Sequence, residues 1–141
     1  MAVTFEPITG RYFGLDVKGT HYRIYMEEAG AGIPLLCLHT AGSDARQFRH
    51  ILCDPEITSR YRVIAFDLPW HGKSNPPDGF RDTEYKLTVD AYKDIITSVC
   101  SALDLERPVL MGCSMGGRIV CHLALENPTH FRAMIALEGA D

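Results

Sequence analysis

No five residues constrain this chain more than Gly112-Cys113-Ser114-Met115-Gly116, because of what stands on either side of them. A short apolar run at residues 109–111 leads in, and a helix-like stretch at 118–126 follows. The order is strand, tight turn, helix, with glycines two before and two after a serine. Glycine lacks the Cβ that would collide where a strand turns abruptly into a helix, and the residue at the tip of such a turn is forced into a strained backbone conformation. Ser114 is therefore expected to stand clear of the sheet. Two other readings use the same residues: a glycine-rich turn that only lets a helix pack closely, and a nucleophile at Cys113. Shifting the frame to Cys113 puts Met111 and Met115 where the glycines are needed, so Cys113 reads as a small apolar residue packed beside the turn.

Read from the amino terminus, residues 11–17 and 20–27 are two strands joined around Lys18-Gly19. Residues 35–38, a continuous apolar run after Pro34, have the pattern of a strand buried on both faces, and they open into the loop His39-Thr40-Ala41-Gly42-Ser43. Asp44 can cap a helix from Ala45 to about Leu52, which Asp54-Pro55 ends. A fourth strand at 62–66 leads into the turn from Asp67 to Ser74, followed by a loop at 75–82 rich in Pro, Gly and Asp. Residues 88–103 space Val89, Tyr92, Ile95, Ile96, Val99 and Leu103 on one helical face, with Asp90 in the first turn. The strand at 109–111, the helix that follows it and a last strand at 133–137 complete the pattern. Strands alternating with helices after a hairpin predict one α/β domain with a mostly parallel sheet.

Composition narrows the function. A chain of 141 residues with 46% hydrophobic and 23% charged residues has an ordinary globular balance. The formal charge of −4, with Lys and Arg scattered singly, gives no footprint for nucleic acid and suits a small, neutral or modestly charged substrate. No apolar stretch is long enough to span a bilayer, and the amino terminus lacks a basic start followed by an apolar run, so the expected location is cytoplasmic, away from membranes. The five cysteines lack C-x-x-C spacing, and Cys37, Cys113 and Cys121 fall at positions that read as buried; reduced thiols are expected rather than disulfides or a metal site.

Three landmarks now stand in order: His39-Thr40-Ala41-Gly42 after the third strand, the Asp67 to Ser74 turn after the fourth, and the Ser114 turn after the fifth. With them the chain resembles the amino-terminal half of an α/β-hydrolase fold enzyme over nearly its whole length. The resemblance implies that Ser114 is a nucleophile that attacks a carbonyl carbon to give an acyl-enzyme once a histidine removes its proton. It implies an oxyanion hole from the backbone N–H groups of Ala41 and Met115, with His39 and Gly42 supporting the loop and His71 holding the Asp67 turn together. Trp70, Phe48 and Met115 are candidates for an acyl pocket. His21, His50 and His130 read as surface or structural residues, and His122 lies two turns along the helix from Ser114. The expected substrate is a small ester, lactone, thioester or C–C bond beside a carbonyl, with no metal or organic cofactor. Serine at the elbow, rather than aspartate, argues against dehalogenase or epoxide hydrolase chemistry.

The chain also departs from the family. Members continue with two more strands, often a helical cap, and a catalytic histidine after the last strand. Glu138, at the end of the sixth strand, stands where certain haloalkane dehalogenases carry the catalytic acid, and Asp141 is the weaker candidate. A sheet ending at the sixth strand leaves an apolar edge and a helix face uncovered. The expectation is a carboxy-terminal complementary chain or segment, from a cleaved or split precursor or a longer protein. The rival reading is a non-catalytic ligand-binding or interaction module that keeps the elbow as architecture.

Overall fold

The computed structural model describes residues 1–139, so Asp141 lies outside the described residues. Strands β1 (Thr9–Val17) and β2 (Thr20–Ala29) pair antiparallel around Lys18 and Gly19, whose φ angles of 47° and 85° are those of a two-residue hairpin turn with a right-handed twist. Then follow β3 (Ile33–Leu38), β4 (Tyr61–Phe66), β5 (Val109–Cys113) and β6 (Ala133–Leu137). The sheet order is β1-β2-β4-β3-β5-β6, antiparallel where β1 meets β2 and β2 meets β4, and parallel from there on. This is the mostly parallel α/β sheet that the sequence predicts.

The apolar runs of β3, β4 and β5 are continuous because both faces are covered. On one face Leu36, Leu38, Ile64, Phe66 and Leu110 meet Ile96 and Val99 of α3 (Val89–Ala102) and Ile119, Val120 and Leu123 of α4 (Met115–Glu126). On the other, Leu35, Cys37, Val63, Ala65, Val109 and Met111 pack on Phe48 and on Leu52 of α1 (Arg49–Cys53). Each such fully buried aliphatic side chain stabilises the fold by about 1.5–3 kcal/mol relative to exposure. Cys37, enclosed there, has its thiol pushed up to about 12 by burial, which leaves it inert.

Several elements differ from expectation. The helix after Asp44 is instead a 3-10 turn, Ala45–Phe48, running into the short α1; Asp44 does cap it, accepting from Arg46 N–H at 3.0 Å. Asp54-Pro55 starts another helix, α2 (Pro55–Thr58), because Asp54 accepts from Glu56 N–H at 2.9 Å and proline is favoured at the first helical position. The 75–82 loop holds a 3-10 turn at Phe80–Asp82. The helix after the elbow begins at Met115, with Gly116 and Gly117 inside its first turn. Cys121 is exposed on α4 rather than buried. Phe48 is 4% exposed and part of the α1-side core, so it lines no acyl pocket.

β6 is the last strand of the sheet, with no neighbour on its outer side among the described residues. Met134 reaches the α3–α4 core, whereas Ile135 and Leu137, on the face of Met111 and Val109, are 41% and 46% exposed. Leu125 on α4 is exposed as well. Among the described residues no helix is long and apolar enough to cross a membrane.

Candidate functional site

Ser114 sits between β5 and α4 with φ 53° and ψ −113°, a conformation that L-residues avoid unless the surroundings impose it. Those surroundings are backbone. A Cβ at Gly112 would run into the carbonyl of Gly116, and one at Gly116 would run into the carbonyl of Leu38, so both positions demand glycine. Ser114 N–H donates to Leu137 O at 2.8 Å, and its carbonyl accepts from Arg118 N–H at 2.7 Å. The hydroxyl makes no capping bond, although Ser114 precedes the helix. The side chain is thus held at the carboxyl edge of the sheet, its oxygen without a hydrogen-bond partner among the described residues.

The neighbouring edge position belongs to β3, whose Leu38 pairs with Gly112. Beyond it, His39 is fully buried and both ring nitrogens are engaged: Nδ1 lies 2.8 Å from the Thr40 carbonyl, and Nε2 accepts from Leu68 N–H at 3.1 Å. Those partners define one neutral tautomer, with the proton on Nδ1. Burial lowers the His39 pKa, so it stays neutral. A ring with both nitrogens occupied has no lone pair to offer Ser114. The Thr40 carbonyl that it grips shares a peptide plane with Ala41 N–H, so gripping one end aims the other. Thr40 N–H in turn donates to Gln47 Oε1 at 2.8 Å. Nothing in the sequence marks Gln47, one of two exposed polar residues, with Arg46, in the Ala45–Phe48 turn. Gly42 follows with φ 68°. Among the described residues neither Ala41 N–H nor Met115 N–H donates to any group; Met115 opens α4, where amides lack intrahelical partners.

The Asp67 turn ties these parts together. Its carboxylate accepts from Ala45 N–H and Lys73 N–H, each at 2.7 Å, and its carbonyl accepts from Ser74 Oγ at 2.6 Å. His71 sits in the same turn with Nδ1 3.0 Å from the Pro69 carbonyl and its ring 5.0 Å from that of His39. Asp44, next to Ala45, is drawn down to about 2 by the hydrogen bonds from Arg46. Trp70 packs on the rings of Phe80 and Tyr85, at 5.3 and 5.2 Å, in a loop-side cluster. Met115 lies partly buried against the α3–α4 core.

Glu138 follows Leu137, the residue whose carbonyl holds Ser114 N–H, and so stands at the same edge as the serine, exposed and with φ 50°. None of the described histidines hydrogen-bonds Ser114; His122 is half-buried on α4 with Nε2 unpartnered. The sheet edge therefore gathers a free hydroxyl, two unengaged backbone donors and a carboxylate. Ser114, Ala41 and Met115 flank β3, from which the chain runs first to β4 on one side and later to β5 on the other. Such a reversal in an open parallel sheet leaves a crevice at the carboxyl ends of its strands. Chemically, the arrangement can hold a carbonyl oxygen on the donors while the hydroxyl faces its carbon.

Residues 33–141 match the family described as alpha/beta hydrolase fold. The 2-hydroxymuconate semialdehyde hydrolase of Pseudomonas sp. (strain CF600) is 30% identical over 128 residues, which cover 90% of this chain and 44% of that protein. An esterase from Thermogutta terrifontis superposes with a TM-score of 0.74 at 24% identity, covering 88% of this chain and 44% of that one. The haloalkane dehalogenase DatA from Agrobacterium tumefaciens C58 gives 0.69 at 25% identity, over 89% and 40%. The chain thus spans less than half the length of these relatives. On the match of more than half its residues, the chain belongs to the alpha/beta hydrolase fold family.

Proposed function

We propose that this chain supplies the nucleophile-bearing half of a serine hydrolase acting on a small acyl substrate: an ester, a lactone, a thioester or a C–C bond beside a carbonyl. The observation that carries the reading is Ser114, strained at φ 53° and projecting an uncommitted hydroxyl from the strand-to-helix turn. In the proposed reaction Ser114 Oγ attacks the carbonyl carbon, and the oxyanion that forms is held by Ala41 N–H and Met115 N–H. Each such donor contributes roughly 3 kcal/mol of transition-state stabilisation. His39 is a positioning residue that aims the Thr40–Ala41 peptide, with Gly42 shaping the loop. Collapse of the intermediate expels the leaving group and leaves an acyl-enzyme that water hydrolyses.

The base is proposed to come from a carboxy-terminal segment, because both ring nitrogens of His39 are committed to backbone groups and no described histidine hydrogen-bonds Ser114. Glu138 is the candidate acid to orient that base. The relatives span more than twice the matched length, and the open side of β6, with Ile135 and Leu137 exposed, suits a segment that adds strands and covers that face. The second reading, a ligand-binding module without turnover, draws on the lack of any described histidine bonded to Ser114. A fluorophosphonate probe with intact-mass analysis separates the two. Stoichiometric labelling at Ser114 in the natural assembly is expected; an unlabelled Ser114 there overturns the hydrolase reading in favour of the passive pocket.

A further inference from the structure

The loop that carries Ala41 is held by hydrogen bonds rather than by packing. Ala41 and Gly42 are exposed, and a Cβ at Gly42 would meet nothing within 4 Å. Two peptide planes meet at Thr40, and both are gripped. The plane that follows it is held through the Thr40 carbonyl, which accepts from His39 Nδ1–H at 2.8 Å and from Ser43 N–H at 3.2 Å. The plane that precedes it is held through Thr40 N–H, which donates to Gln47 Oε1 at 2.8 Å. The Ser43 bond closes within the loop and moves with it. A single bond from His39 leaves the second plane free to pivot about its oxygen, because a carbonyl accepts over a broad range of directions. With Gln47 holding the first plane as well, the backbone of Thr40 is fixed, and with it the direction of Ala41 N–H.

Both outside grips are rooted in adjacent residues. Leu68 N–H holds His39 Nε2 at 3.1 Å, and Asp67 Oδ1 accepts at 2.7 Å from the N–H of Ala45, the first residue of the 3-10 turn that bears Gln47. Ala45 and Phe48, one turn apart, both enter the core and anchor that turn, while Gln47 stays outside. Thr40 N–H can only donate, so the Gln47 atom that meets it must be the amide oxygen. Gln47 is exposed and its side chain makes no other hydrogen bond among the described residues. Holding a long exposed side chain in one conformation costs rotamer entropy that offsets the modest net gain of one neutral bond, so stability gains little from it. Its consequence is positional.

We propose that Gln47 is a positioning residue for the oxyanion donor Ala41 N–H, acting through Thr40. The catalytic consequence rests on the serine hydrolase reading; the grip on Thr40 N–H does not.

The test compares wild type, Gln47→Leu and Gln47→Glu in the assembled protein. Leucine keeps the bulk and loses the acceptor, whereas glutamate keeps an acceptor. By amide hydrogen exchange, Thr40 N–H is expected to exchange faster in Gln47→Leu than in wild type or Gln47→Glu. With p-nitrophenyl butyrate, Gln47→Leu is expected to lower kcat by about ten-fold or more, since a displacement of about 1 Å can cost up to about 100-fold. KM and Tm stay near their wild-type values, and Gln47→Glu lies closer to wild type than to Gln47→Leu. A merely structural residue would move Tm together with kcat. Unchanged exchange at Thr40 in Gln47→Leu overturns the grip. A wild-type kcat in Gln47→Leu, equal losses of kcat in both variants, or a loss of kcat that follows a loss of Tm overturns the positioning role and leaves the hydrolase reading standing. A wild type that turns over no ester defeats the hydrolase reading and the positioning role together, whereas faster Thr40 exchange still bears out the grip.

Discussion

Replacing His39 by leucine removes two hydrogen bonds from the interior at once. The Thr40 carbonyl loses Nδ1–H but keeps Ser43 N–H at 3.2 Å, whereas Leu68 N–H loses Nε2 and has no other partner among the described residues. At about 1–3 kcal/mol for the Leu68 N–H left unpaired and about 0.5–1.5 kcal/mol for the bond lost at Thr40, the cost is about 1.5–4.5 kcal/mol. That is a large share of the 5–15 kcal/mol that usually holds a domain together. The same histidine gives the wild type a pH signature. Burial lowers its folded pKa below the ordinary ~6.5 of free imidazole, so the unfolded chain binds more protons over that interval. Stability is then complete above about 6.5 and falls as the pH drops through the lowered folded value. Asp44 acts elsewhere: its carboxyl, at about 2, contributes stability that is present above the ordinary carboxylate value of ~3.9 and lost only in strong acid. Urea unfolding followed by the fluorescence of Trp70, the single tryptophan, reads both effects. Wild type is expected to weaken between pH 7.5 and 5.5, and His39→Leu to start lower and lack that slope. A His39→Leu protein as stable as wild type, or a wild type indifferent to pH in that window, refutes the tautomer and the bonding described above.

Four further outcomes are expected. Ser114→Ala abolishes ester turnover in the assembled protein with little change in Tm, whereas retention of activity alongside an inactive Cys113→Ala would move the nucleophile to Cys113. Ala41→Pro, which deletes one N–H donor, lowers kcat more than it raises KM, by about 100-fold or more for a lost oxyanion donor; an unchanged kcat in a folded variant removes Ala41 from the site. Gly116→Ala destabilises by about 1–3 kcal/mol because its Cβ meets the fixed Leu38 carbonyl, and an unchanged urea midpoint contradicts the close approach of α4 to β3. These 141 residues without a carboxy-terminal partner hydrolyse no p-nitrophenyl ester, and adding the complementary segment restores solubility and activity at the same mixing ratio; Ser114-dependent turnover by a monodisperse monomer counts against that.

The features readable in advance are those written in short-range pattern. Residues 35–38 and 63–66 are apolar without alternation because both sheet faces are covered, and Gly112 and Gly116 announce backbone contacts that admit no side chain. Asp44 caps as its chemistry suggests. What pattern could not supply was context over distance. Asp54-Pro55 both stops one helix and starts the next, and the choice depends on Asp54 turning its carboxylate onto Glu56 N–H. Phe48 has the composition of a pocket wall, but its side of the sheet is closed by α1. Gln47 acquires meaning only through a partner across the fold, the Thr40 N–H. Ser114, Ala41 and Met115 are expected from the resemblance alone, while the His39 tautomer that fixes the Thr40–Ala41 peptide follows only from the distances around the ring.

The bond from Ser114 N–H to the Leu137 carbonyl gives synthesis an order. β3 lies at the middle of the sheet, yet one of its neighbours, β5, is not made until the whole of residues 39–108 has been translated, and the elbow's own backbone bond waits for the end of β6. Contacts spanning such separations form slowly, since the chain must close long loops before they yield anything in return. The hairpin β1–β2 can form as it leaves the ribosome, whereas Ser114 cannot be locked into its positive-φ conformation until residue 137 has cleared the exit tunnel. Ribosome-arrested chains that expose β5 but not β6 are thus expected to be cut by protease around residues 112–118, and chains that expose both to resist.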